Sequence, residues 1–155
     1  MTNNVDQGGR EFDVVVFGAS GFTGRLIAEY LASRQLDSNE LRWALAGRSA
    51  AKLTSAAAKS GLSSDLPIIS ADSTDADAMR AMAERASVVL TAVGPYQLYG
   101  SNLVKACAEA GTDYVDLCGE PNWMHEMIEQ HQLINSVEEE CKEFRDAVFK
   151  CATEV

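Results

Sequence analysis

Residues 14–26 read VVVFGASGFTGRL, an apolar run that stops at Gly18 and continues with Gly21 and Gly24. Glycines three residues apart at a strand-to-helix turn suit one chemistry in particular, the holding of a diphosphate. Gly18 allows the chain to reverse tightly. Gly21 lets the backbone come close to an anion where a Cβ would intrude, and Gly24 lets the following helix pack against the sheet. The N–H groups and the positive dipole end of that helix then face the phosphates. The hydroxyls of Ser20 and Thr23 are further donors. A plain tight turn also uses glycine. What favours a dinucleotide is the context, a buried-type strand before the motif and a helix after it. The Gly-x-x-Gly-x-x-Gly spacing supports phosphate binding without choosing among dinucleotides.

The next apolar run bears on that choice. It ends in Ala46-Gly47-Arg48-Ser49, with Lys52 one helical turn further on. A free ribose 2′-hydroxyl is usually met by Asp or Glu at this place. Here a guanidinium stands instead, able to bond a 2′-phosphate through two N–H groups and to stack on adenine. Ser49 adds a donor at the helix start. These residues predict NADP(H) over NAD; the alternative for Arg48 is an arginine snorkelling at a strand end. Asp72 either lies near the adenine or neighbours a helix N-cap. On the far side of the expected cleft stand Val93, Gly94, Pro95 and Tyr96, where the nicotinamide half would pass. Tyr96 or Tyr99 either flanks the ring or fills the domain surface. Candidate acids and bases are Tyr96, Glu120, His125 and His131, and a surface or helix role is the simpler one for both histidines. No tyrosine has lysine four residues on, so the Tyr-x-x-x-Lys acid of short-chain dehydrogenases is absent.

Strand and helix patterns alternate around these positions. Residues 13–17, 41–46, 66–70, 87–93 and 114–117 read as strands. Between them lie helix patterns: one with Leu26, Ile27, Tyr30 and Leu31 on its apolar face, one capped by Ser49, one capped by Ser73 or Thr74, and one closed by Gly111. Gly119-Glu120-Pro121 turns the chain. Lys105 and Glu109 form a solvated i,i+4 pair. The expected fold is α/β, a doubly wound, Rossmann-like parallel sheet of order 3-2-1-4-5 with ligand at the ends of strands one and four.

The chain has 155 residues and a net charge of −10. That length suits one domain burying roughly 70% of its unfolded surface. The acidic balance argues against a nucleic-acid partner, which needs a basic face. Cys107, Cys118, Cys141 and Cys151 show no metal-site spacing and read as reduced thiols. Residues 1–11 read as a flexible leader without a signal pattern, and no apolar run approaches the roughly 20 residues of a membrane helix. A cytoplasmic location is expected. Residues 12–132 would form the nucleotide-binding domain. In residues 133–155, Ile134, Val137, Cys141, Phe144, Val148 and Cys151 recur at three- and four-residue steps. They predict an amphipathic helix lying on the domain's own sheet, with a homodimer through it as the alternative.

The segments FGASGFTGR, WALAGRSAAKL and VVLTAVGPYQLYGSNLVKACAEAGTDYVDLCGE, taken in order, resemble the saccharopine dehydrogenase-like oxidoreductases, most closely the branch with trans-acting enoyl reductases of lipid biosynthesis. The resemblance runs from about Asp13 to His131. It implies an N-terminal NADP-binding domain in which Gly18, Ala19, Ser20, Gly21, Phe22, Thr23, Gly24, Arg48 and Ser49 carry the cofactor and residues 93–96 line its nicotinamide side. It also implies a sixth strand, a Cys-Gly-Phe-Asp-Ser segment and a large second domain, none of which follows Gln132 here, and leaves a place at the lipid or membrane periphery open. The expected function is hydride transfer between NADP(H) and an unidentified substrate, with an enoyl or imine group as candidates. Two alternatives stand beside it, a non-catalytic NADP(H)-binding module (a redox sensor, or a truncated product lacking the substrate domain) and an interaction protein using the tail helix.

Overall fold

The computed structural model describes residues 9–35 and 41–131. Strand β1 (Phe12–Phe17) leads through the glycine turn into α1 (Phe22–Gln35). Then come β2 (Trp43–Gly47), α2 (Ala50–Lys59), β3 (Ile68–Ser70), α3 (Ala76–Ala83) and β4 (Ala86–Thr91). After β4 the chain makes a short helix α4 (Tyr96–Tyr99), then α5 (Ser101–Ala110), β5 (Asp113–Val115) and α6 (Pro121–His131). The five strands are parallel and ordered β3-β2-β1-β4-β5, as the alternation of patterns predicts. The anticipated tail helix over 133–155, the dimer through it, and residues 1–8 of the expected leader lie outside the described residues.

Alternation along the strands splits the core into two layers. Val14 and Val16 of β1, with Trp43 and Leu45 of β2, pack under Ala28 of α1 and Leu53 and Ala57 of α2. Val15 and Phe17, with Ala44, Ala46 and Val89, pack under Met79 and Met82 of α3 and Leu103, Ala106 and Cys107 of α5. Phe17, Leu45, Leu53, Met79 and Leu103 are wholly enclosed, each contributing about 1.5–3 kcal/mol by burial. Burial also pushes the Cys107 thiol up to about 12, so it is an uncharged core side chain. A smaller cluster of Tyr96, Trp123 and Met127 seats α6 beside α5, with the Trp123 indole N–H donating to Ser101 Oγ at 3.0 Å.

Three local expectations need correction. The face of α1 turned to the sheet holds Gly24 and Ala28, with Ile27 and Leu31 at its margin; Leu26 and Tyr30 are 50% and 58% exposed. The helix is rolled by about one residue position, on the order of 100°, relative to its apolar pattern, because only its smallest residues fit the close approach at the glycine turn. Neither Ser73 nor Thr74 caps α3: Asp75 does, its side chain accepting from Asp77 N and Ala78 N, both at 3.0 Å. Arg10 and Glu11 are not loose. The Arg10 guanidinium donates to the carbonyls of Ala83, Ala86, Ala110 and Gly111 and to Thr112 Oγ1, and Glu11 pairs with Arg85 at 2.7 Å. Gly111 closes α5 in the left-handed conformation, φ 62°, and Lys105 lies 3.8 Å from Glu109, both as expected.

Candidate functional site

The glycine turn sits at the carboxyl ends of β1 and β4. Gly18 has φ 87°, and a Cβ there would lie 2.7 Å from Val93 Cγ2, so the turn and the end of β4 are pressed together. Gly18 N and Ala19 N both donate to Ala46 O, at 2.8 and 3.3 Å, tying the turn to β2. A Cβ on Gly24 would strike Gly18 O and come within 2.8 Å of Ala19 Cα, backbone that cannot give way. Around Gly21 the only near neighbour of a Cβ would be Gly18 O, at 3.3 Å, and its other side is open.

The entry to α1 leaves amide hydrogens to spare. Gly21 N donates to Gly18 O and Arg25 N to Gly21 O, both at 3.0 Å. The N–H groups of Ser20, Phe22, Thr23 and Gly24 meet no acceptor among the described residues. A helix start with unsatisfied donors, a favourable dipole and no intruding side chain is a seat for a phosphate. Ser20, Gly21, Phe22 and Thr23 are exposed there, whereas Ala19 points into the core. The turn therefore fits a diphosphate through its backbone.

At the end of β2, Arg48 is exposed and Ser49 caps α2, its Oγ accepting from Lys52 N at 3.3 Å while its own hydrogen stays available. Asp72 accepts from Thr74 N at 2.9 Å and from Thr74 Oγ1 at 2.8 Å. These bonds hold its carboxyl below the usual aspartate range, and the nearby Arg48 charge adds a smaller push the same way. Asp72 thus shapes the turn that leads to the Asp75 cap. Between α1 and α2 lies a cleft of about 210 Å³ lined by Ser20, Arg25, Lys52, Ser55, Ala56 and Lys59.

On the β4 side, Thr91 Oγ1 accepts from Val93 N at 3.2 Å and orients the segment that packs against Gly18. Gly94 and Pro95 are exposed and joined by a cis peptide bond. Tyr96 is turned inward. Its ring stacks at a tilt on Trp123, centroids 5.7 Å apart, and its hydroxyl accepts from Leu117 N at 3.2 Å and donates to Thr91 O at 3.4 Å. Burial raises its pKa. Tyr99 stays at the surface. The Glu120 carboxylate accepts from Tyr96 N at 2.8 Å and Gln97 N at 2.9 Å, fixing the start of α4. His125 is solvent-facing and 3.3 Å from Glu129. His131, at the opposite end of α6, has its pKa lowered by burial. The four candidate acids and bases are thus not gathered at the glycine turn. Among the described residues no set of His, Cys, Asp and Glu is placed to hold a metal, and no helix is long and apolar enough to cross a membrane.

The sequence marks Glu120 only as a turn residue and candidate acid, and does not single out Arg25. The structural use of Glu120 depends on α4, whose single turn carries no periodic signal. Arg25 was in view directly after Gly24, but its direction toward α2 depends on how α1 is rolled.

Comparison with known proteins agrees with this geometry. The family described as Saccharopine dehydrogenase NADP binding domain matches residues 14–153. A trans-acting enoyl reductase of Mycobacterium leprae is 50% identical over 123 residues, covering 79% of this chain and 29% of that protein. A saccharopine dehydrogenase-like oxidoreductase of Rattus norvegicus is 45% identical over 134 residues, covering 79% of this chain and 31% of the other. The chain therefore spans less than a third of the length of these curated relatives. Among solved structures, saccharopine dehydrogenase from Saccharomyces cerevisiae superposes with a TM-score of 0.58 at 23% identity, covering 75% of this chain and 24% of that one. Triphenylmethane reductase from Citrobacter sp., complexed with NADP(H), gives 0.58 at 21% identity, covering 80% and 46%. These two likenesses concern the fold.

Proposed function

The chain belongs to the saccharopine dehydrogenase NADP-binding domain family, and from that premise we propose that it is the cofactor-holding part of an oxidoreductase. The observation that carries the reading is the set of unpartnered amide hydrogens at the start of α1, beside a Gly21 that leaves their outer side clear. In this reading the amides of Ser20, Phe22 and Thr23 bind the diphosphate, helped by the Ser20 and Thr23 hydroxyls. Arg48 and Lys52 attract the 2′-phosphate, and the Ser49 hydroxyl donates to it. Val93, Gly94 and Pro95 border the nicotinamide half, while Tyr96, held by Thr91, Leu117 and Glu120, supports that border from within. The cofactor, when bound, supplies a hydride for transfer. The name of the enoyl reductase relatives suggests a substrate with a polarised C=C bond for the whole protein.

Thermal unfolding with NADPH and with NADH tests the reading. Ligand at a hundred times its Kd adds about 2.7 kcal/mol, enough to register in a melting curve. NADPH is expected to raise the Tm of the wild type more than NADH does, and Arg48→Ala to reduce the NADPH shift. A Tm unmoved by either dinucleotide ends the proposal. A second reading, binding without turnover, is favoured by the commitment of Tyr96 and Glu120 to structural hydrogen bonds. It predicts NADPH binding with no NADPH oxidation against enoyl or imine substrates.

A further inference from the structure

The cleft between α1 and α2 is built for an anion. Arg25, Lys52 and Lys59 converge on it with the hydroxyls of Ser20 and Ser55, and no carboxylate lines it. The chain as a whole carries 23 acidic residues against 13 Lys and Arg, so a concentration of cations without acids stands out from the background. None of the three cations is in a salt bridge among the described residues, although Arg10, Arg42 and Arg85 are all engaged by carbonyls or carboxylates. The Nε of Arg25 is shut off from solvent and has no hydrogen-bond partner. With Nε enclosed, the guanidinium meets the cleft through its terminal N–H groups.

Location identifies the anion. Ser20 belongs to the glycine turn, and Lys52, Ser55 and Lys59 succeed one another along the face of α2 that meets α1. That this side of α1 faces α2 is fixed independently one turn further on, where Glu29 accepts from Ser60 Oγ at 2.6 Å. The cleft therefore joins the diphosphate seat to the helix that starts at the end of β2, the place where an adenosine ribose lies in this fold. The α1 amides face the diphosphate, so the anion left for the cleft is the phosphate on the ribose.

We propose that Arg25, reaching from α1 with Lys52 and Ser55 opposite it on α2, is the residue that distinguishes a 2′-phosphorylated dinucleotide from an unphosphorylated one. Arg25 donates through its fork, Lys52 contributes charge, and Ser20 and Ser55 donate hydroxyls. Arg48 closes the same phosphate group from the solvent side, with part of its field spent on Asp72. The inference rests on the dinucleotide reading given above, and adds to it a second, more enclosed wall of the phosphate site.

The test measures Kd for NADPH and NADH by titration of the full chain, in the wild type, Arg25→Ala and Arg25→Lys. Arg25→Ala is expected to weaken NADPH by about 10- to 100-fold, the loss of charge-assisted bonds, with NADH unchanged. Arg25→Lys should restore only part, since a lysine keeps the charge but lacks the planar fork of N–H donors. A ratio of NADPH to NADH affinity that Arg25→Ala leaves unchanged overturns the inference while leaving the proposed function standing. A wild type that binds neither dinucleotide overturns both. Should Arg25→Ala fail to fold, the wild type still decides through phenylglyoxal modification mapped by mass spectrometry. Arg25 is expected to be shielded by 2′,5′-ADP but not by 5′-ADP; equal shielding, or none, overturns the inference.

Discussion

Glu120 shows how a carboxylate in a functional neighbourhood can be structural. Both its oxygens accept backbone N–H groups at the start of α4, so its charge is matched by amides. Glu120→Ala leaves the part-buried Tyr96 N–H without an acceptor, and should lower stability by about 1–2 kcal/mol, read as a fall in Tm. Glu120→Gln keeps one carbonyl oxygen and should lose roughly half as much. Equal losses in the two variants would show that the charge rather than the oxygen geometry matters. The residue scale was the least legible in the sequence. The glycine spacing announced a phosphate seat, and Arg48 announced a cation at the end of β2. The directions of Tyr96, Glu120 and Arg25 are set by neighbours from other elements, and no local pattern encodes them.

At the scale of elements, the contact of α1 with β1 is the tightest joint. In Gly24→Ala the added methyl meets the backbone of Gly18 and Ala19, with the Ala19 Cα only 2.8 Å away. Backbone cannot rotate aside, so this substitution should cost about 1–3 kcal/mol and weaken NADPH and NADH together by shifting the amides of the first turn. Gly119→Ala has nothing within 4 Å and serves as a neutral control. Unequal effects on the two dinucleotides would separate Gly24 from the diphosphate seat. The sequence disclosed the order of elements because strand and helix periods alternate and crossovers have one hand. It misjudged the roll of α1, where close approach outranks apolar area. It also misplaced the α3 cap, because Asp72, Ser73, Thr74 and Asp75 are all competent cappers and only the chain direction selects among them. Helix α6 carries few periodic cues beyond Pro121 at its first position.

Across the whole molecule, Arg10 is the long-range fastening. Its guanidinium collects carbonyls from the end of α3, the start of β4 and the end of α5, and also the buried Thr112 hydroxyl. Arg10→Ala takes the donor from the part-buried Ala110 carbonyl and leaves those of Ala83 and Ala86 to Thr112 Oγ1 alone, and should lower the urea midpoint by an amount equivalent to about 1–3 kcal/mol with an unchanged slope. The ratio of NADPH to NADH affinity should not move, because the fastening is at the opposite end of the strands from the glycine turn. The five-strand order was readable from the sequence, yet this fastening was hidden, since it joins one arginine to residues 73–102 positions away. A practical rule for dissecting the molecule follows. A fragment trimmed to begin at Gly9 keeps the clasp on the floor of the sheet. One trimmed only three residues further, to begin at Phe12, retains all five strands and forfeits it, so a deletion series should break sharply between those two start points.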